Sequence, residues 1–101
     1  MFTDEALISF CRKAIQTPSF SGQERQMAEL MREKMLERGF DEVIIDRFGS
    51  VLGTIHGSRP GKTILMDGHI DTVDVIDEAQ WRYGPFSGEI ADGKKIGRAH
   101  V

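Results

Sequence analysis

His69 and Asp71 stand two apart at the end of the run Thr63-Ile64-Leu65-Met66-Asp67-Gly68-His69-Ile70-Asp71-Thr72-Val73, and they are the residues of this chain best suited to chemistry. In extended backbone alternate side chains share a face, so His69 and Asp71 meet on one side while Ile70 turns back toward the core. One ring nitrogen of His69 can then bind a metal. The other can donate to a carboxylate that fixes the tautomer and the ring orientation, and Asp71 is the nearest one. The motif is short and built of common residues; in isolation it more often means a strand-end histidine bonded to a loop carboxylate.

The elements that must position this pair are legible as patterns. Ile64, Leu65 and Met66 read as a strand interior that frays at Asp67-Gly68. Ahead of it, Thr3 is placed to cap a first helix, with Asp4 and Glu5 in the first turn and an apolar stripe of Leu7, Phe10, Cys11, Ala14 and Ile15 that stops at Pro18. Ser21 and Glu24 spell a capping box for a second helix, whose apolar face is Met27, Leu30, Met31 and Met35 and whose stop is Gly39. Val43-Ile44-Ile45, a turn at Gly49-Ser50 and Val51 to Ile55 then read as strands. Helix, helix, strand, strand, strand suits an α/β fold in which a mixed sheet gathers ligands at its strand ends.

Other eye-catching residues receive plainer readings. Gly57-Ser58-Arg59-Pro60-Gly61-Lys62 lacks the spacing of a phosphate loop and joins two predicted strands, so it reads as a hairpin turn with His56 as a surface histidine beside it. Cys11 lies on the helical stripe and reads as a small core residue. Asp74, Asp77 and Glu78 read as a solvated loop, with Trp81 and Phe86 packing it near the entrance to the site.

Composition narrows the function classes. At 101 residues the chain is at most one domain, with 13 Lys plus Arg against 16 Asp plus Glu, a net charge of -3, and no basic block, which argues against nucleic acid. No apolar run approaches the roughly 20 residues needed to cross a bilayer. Met1-Phe2-Thr3-Asp4-Glu5 is acidic where a signal peptide is basic, and the single cysteine rules out an internal disulfide, so a cytoplasmic location is expected.

Thr17-Pro18-Ser19, Ser21-Gly22-Gln23-Glu24, Gly39-Phe40, Phe48-Gly49-Ser50-Val51, the Met66 to Val73 stretch, Trp81, Pro85-Phe86-Ser87-Gly88 and Asp92-Gly93-Lys94 follow one another in an order that carries a family signature. In these motifs the chain resembles the M20 metallopeptidase and amidohydrolase family of aminoacylases, deacylases and carboxypeptidases, and within it the branch of hydrolases linked to selenium metabolism. The resemblance covers nearly the whole chain; at Ser50 the family often has Asn.

The resemblance implies the N-terminal part of a zinc-peptidase-like catalytic domain, two helices followed by mixed sheet strands, from an enzyme that hydrolyses amide or peptide bonds of a small-molecule or peptide substrate. It implies two zinc ions, replaceable by cobalt or manganese, that lower the pKa of a bridging water and polarise the scissile carbonyl while a glutamate acts as general base. His69 matches the family's first zinc ligand and Asp71 the catalytic-site aspartate that orients it. The complete enzyme is expected to be a homodimer.

The family continues into Gly-Arg-Gly-x-x-Asp, a Glu-Glu pair, a further carboxylate and a final His, whereas this chain reads Gly97-Arg98-Ala99-His100-Val101. One imidazole does not make a catalytic zinc site, which takes three protein ligands, and His100 has no counterpart in the family. Residues 1–95 are therefore read as an incomplete M20-type catalytic domain without hydrolase activity of its own. Ile96 to Val101 is the translation of ATCGGAAGAGCACACGTC, the opening of a widely used sequencing adapter, and 96–101 is expected to be a non-native tail. The rival reading is a small non-catalytic α/β binding or regulatory module.

Overall fold

The computed structural model of the chain describes residues 3–75 and 77–97. Met1 and Phe2 of the N-terminal segment, and Arg98 to Val101 of the expected tail with His100, lie outside the described residues.

Helix α1 spans Asp4–Gln16, and Thr3 caps it as the sequence predicts, its Oγ1 accepting from the amide of Ala6 at 3.1 Å. The helix ends where Pro18 requires, with the Thr17 hydroxyl donating back to the carbonyl of Lys13. Helix α2 spans Arg25–Glu37 and closes in a Schellman motif: the amide of Phe40 donates to Met35, that of Gly39 to Leu36, and Gly39 takes φ +82°.

Strands β1 (Glu42–Ile45) and β2 (Val51–Thr54) form an antiparallel hairpin in the register Glu42 to Thr54 and Ile45 to Val51. Its turn is set by Asp46, whose carboxylate accepts the amides of Phe48 and Ser50, and by Gly49 at φ +86°, the arrangement of a turn closed by a glycine bulge. A 3-10 turn at Glu78–Gln80 precedes a second hairpin, β3 (Ile90–Ala91) and β4 (Lys94–Lys95), joined by Asp92 at φ 52° and Gly93 at φ 73°. Asp-Gly with both residues left-handed is the favoured two-residue hairpin loop. Ile96 prolongs it by donating to the carbonyl of Glu89 at 2.7 Å.

The apolar core centres on the inner face of α2, where Met27, Ala28 and Leu30 are buried. Met35 and Phe40 close on Gly53 of β2, fixing the first hairpin against α2. The segment around β3 and β4 lies along α1: Gln16 donates to the carbonyl of Ser87, Gly88 sits against Arg12, and Gly97 against Ile15.

Several expectations are corrected. The predicted mixed sheet is two separate antiparallel pairs plus one parallel bridge, Phe20 to Thr72. Ile64, Leu65 and Met66 form no strand and are 83%, 87% and 89% exposed. Their apolar character records a demand for cover, whereas a strand exists only where a neighbour supplies the ladder, and among the described residues none pairs with them. Gly57 to Lys62 is accordingly a loop and not a hairpin turn between strands. Cys11 is exposed, and no residue of α1 is buried. No described helix is long and apolar enough to cross a membrane.

Candidate functional site

The link between α1 and α2 and the segment 69–72 are held together by backbone. Thr72 donates its amide to the carbonyl of Ser19 at 2.8 Å, and the Ser19 hydroxyl donates to the carbonyl of Ile70 at 2.7 Å. Both Ser19 and Thr72 are buried, with these polar groups paired as burial requires. Beside them, the rings of Phe20 and Phe86 meet edge to face at 6.2 Å. Phe86 thus packs on the link between α1 and α2, while Trp81 closes the 3-10 turn by donating its amide to Glu78.

On this frame His69 and Asp71 come together as their spacing predicts. His69 Nδ1 lies 3.0 Å from Asp71 Oδ1 and 2.9 Å from the Asp71 backbone oxygen. Both oxygens are acceptors, so Nδ1–H is the donor in these contacts. The second carboxylate oxygen, Oδ2, accepts from the Ser21 hydroxyl at 2.7 Å. That hydroxyl is the main reason the Asp71 carboxyl is held below the usual carboxylate range; desolvation opposes the shift, and the hydrogen bond and charge of His69 add to it.

Ser21 is the residue that sequence reasoning misplaced. The capping box does not form: Glu24 is itself the N-cap of α2, its carboxylate accepts the amide of Gly22, and no side chain caps the helix. The amide of Gln23 donates to Phe20 across a turn in which Gly22 takes φ +84°, the pattern of a type II turn, and the Ser21 side chain is delivered to Asp71. Ser-x-x-Glu signals a local partner; the partner used lies 50 residues away.

The other polar residues singled out in the sequence have settings of their own. His56 is exposed and its amide donates to the Asp41 carboxylate; Asp74, Asp77 and Glu78 are exposed, as the loop reading holds. Among the described residues no group of three or more His, Cys, Asp and Glu side chains is gathered to hold a metal. The His69–Asp71 pair fits one imidazole ligand with its orienting carboxylate, and the described residues fall short of the three protein ligands a catalytic zinc takes.

Comparison with known proteins gives this geometry a context. The chain is 39% identical over 84 residues to the uncharacterised Escherichia coli protein YgeY, covering 82% of this chain and 20% of that one. It is 37% identical over 86 residues to a succinyl-diaminopimelate desuccinylase of Cereibacter sphaeroides, covering 83% and 23%. It is 38% identical over 85 residues to a [LysW]-lysine hydrolase of Deinococcus radiodurans, covering 79% and 23%. The chain therefore spans between a fifth and a quarter of the length of these curated relatives. No family model and no solved structure matches it.

Proposed function

We propose that the chain is the N-terminal part of a zinc-dependent, M20-type hydrolase of amide bonds, working in the cytoplasm, with His69 as a zinc ligand and Asp71 as the carboxylate that orients it. The observation that carries the reading is the ring's orientation: Nδ1 of His69 is turned to two acceptors of Asp71, so Nε2 is the nitrogen that would meet a metal. Similarity to proteins named as a desuccinylase and a lysine hydrolase supports amide hydrolysis as the reaction class. When bound, zinc would supply a Lewis acid and an activated water. The chain's own contribution is to fix the orientation of the ligand imidazole.

The 101-residue chain by itself is read as inactive, because His69 and Asp71 are the two residues of the implied zinc machinery that its sequence matches. The rival reading is a small non-catalytic binding module. Sequencing the source DNA across the codons for Lys95 to Val101 separates the two. A frame continuing through Gly-Arg-Gly-x-x-Asp supports the hydrolase, and a genomic stop after Val101 moves the binding module ahead.

In the complete enzyme His69→Ala should abolish both zinc retention and turnover. Asp71→Asn should weaken metal affinity or activity by about 10 to 100-fold, the usual range for a residue that orients a ligand. Zinc content by elemental analysis and hydrolysis of an N-succinyl amino acid are the two readouts, and full activity in either variant would refute the assignment.

A further inference from the structure

We infer that residues 62–67 form an antiparallel ladder with the same residues of a second copy of this chain, in the register that sets Leu65 opposite Leu65. The inference goes beyond the hydrolase reading and does not rest on it.

The exposed surface carries the first part. Ile64, Leu65 and Met66 are the most exposed large apolar side chains among the described residues. Apolar residues scattered singly over a surface are ordinary, whereas successive ones mark a contact to be made. From Gly61 to Asp71 the chain makes no helix, turn or bend, and among the described residues the main chain of 62–67 enters no hydrogen bond. Its amides and carbonyls are therefore open to another strand. Folded proteins blunt such an edge with proline or charge, and Thr63 to Met66 contains neither. Bonds within the chain resume at Ile70, whose carbonyl is taken by Ser19, so a ladder over 62–67 leaves that brace in place.

The order of residues selects the partner. Lys62 and Asp67 close the run at its two ends, both exposed and neither in an ion pair among the described residues. Laid antiparallel against itself, the segment brings the Lys62 end of each copy beside the Asp67 end of the other. Laid parallel, it sets like charge against like, which destabilises a ladder. An antiparallel pair related by a two-fold axis must be centred on one residue, because the axis stands perpendicular to the sheet and facing residues share a side. Centred on Leu65, the ladder pairs Leu65 with Leu65, Ile64 with Met66, and the Thr63 hydroxyl with the Asp67 carboxylate. Centring it on Ile64 would put Lys62 against Met66, and centring it on Met66 would put Asp67 against Leu65. Of these, the register on Leu65 alone keeps every apolar residue against another.

The test is sedimentation velocity of the full chain across a wide concentration series, where a monomer–dimer equilibrium should appear. Leu65→Lys sets two ammonium groups against each other at the axis and should raise the dimer dissociation constant about tenfold or more. Because Leu65 is exposed in the single chain, the urea midpoint of that variant in dilute solution should be unchanged. Lys62→Glu should weaken the dimer, and combining it with Asp67→Lys, which exchanges the two ends, should restore it. Orientation is read by disulfide trapping in a Cys11→Ser background, since Cys11 is itself exposed. A chain carrying Ile64→Cys should cross-link to one carrying Met66→Cys faster than either does to itself. A chain that stays monomeric throughout overturns the proposal and leaves the run for a different segment or partner to cover. Open-ended assembly, a dimer indifferent to Leu65→Lys, or preferential linking of Ile64→Cys to itself overturns it equally. None of these readouts involves a metal or a substrate, so failure here leaves the hydrolase reading untouched, and failure of that reading leaves the dimer standing.

Discussion

Ser19 grips the site segment on both sides of Asp71: its hydroxyl donates to the carbonyl of Ile70 at 2.7 Å and its carbonyl accepts the amide of Thr72 at 2.8 Å. With the side chain fully buried, removing the hydroxyl leaves the Ile70 carbonyl short of its partner. Ser19→Ala should cost about 1–3 kcal/mol, the penalty for an unmet buried polar group. Urea unfolding would give the loss as a lowered midpoint, and the Thr72 amide should exchange faster than those of α2. A variant within about 0.5 kcal/mol of the parent would show that the bond does not hold the segment.

Acid should loosen the same region. The folded chain holds the Asp71 carboxyl below its ordinary value, chiefly through the Ser21 hydroxyl, so the unfolded chain binds the proton more readily in the window between the two values. The associated stability is present above the unfolded value and is lost as pH falls through the folded one. Glu37, also held low by its hydrogen bond and charge contact with Lys34, adds a contribution of the same sign. Asp71→Asn should flatten the acid limb of stability against pH, and Glu37→Gln should flatten it separately. Chemical denaturation at a series of pH values measures both. An acid limb unchanged by Asp71→Asn would contradict the bonded carboxylate.

How much of this could be read beforehand depended on how local each partner is. The Thr3 cap, the stop at Pro18, the Gly39 terminus and the Gly49 turn all involve residues within a few positions of one another, and each stands where the sequence puts it. The approach of His69 and Asp71 was legible for the same reason. What pattern could not supply was competition from afar. Ser21 has a nearby helix to cap and a distant carboxylate to bind, and nothing in Ser-x-x-Glu says which it takes. The Ile64-Leu65-Met66 run carries the composition of a sheet interior, yet pairing requires a second chain segment whose position no window of sequence encodes.

The hairpin's seat on α2 is tight at one point. A Cβ on Gly53 would come within 2.6 Å of Met35 Sδ and within 2.6 Å of Phe40 Cδ2. The Met35 sulfur can yield, but Phe40 also completes the Schellman closure of α2 through its amide bond to Met35, so its ring has less room to retreat. Gly53→Ala should destabilise by about 1–3 kcal/mol, the range for overpacking. Gly61→Ala, where an added Cβ meets nothing within 4 Å, is the matched control and should be near neutral. Equal unfolding midpoints for the two variants would mean that the hairpin is not seated against Phe40.

Gly22 separates backbone strain from packing. A Cβ there would meet nothing within 4 Å, so a substitution costs only the left-handed conformation at φ +84°. For an ordinary L residue that is about 1–2 kcal/mol, with asparagine tolerated better than alanine. Gly22→Ala should therefore lower the unfolding midpoint, and Gly22→Asn should lower it less. Because the turn from Phe20 to Gln23 also aims Ser21 at Asp71, relief of the strain by reshaping the turn would break the 2.7 Å bond. Gly22→Ala should thus flatten the acid limb of stability as well as lower the midpoint, whereas Gly53→Ala should move the midpoint alone. If Gly22→Ala lowered the midpoint and left the acid limb unchanged, the turn would be a structural corner only, and Ser21 would reach its carboxylate by some other constraint.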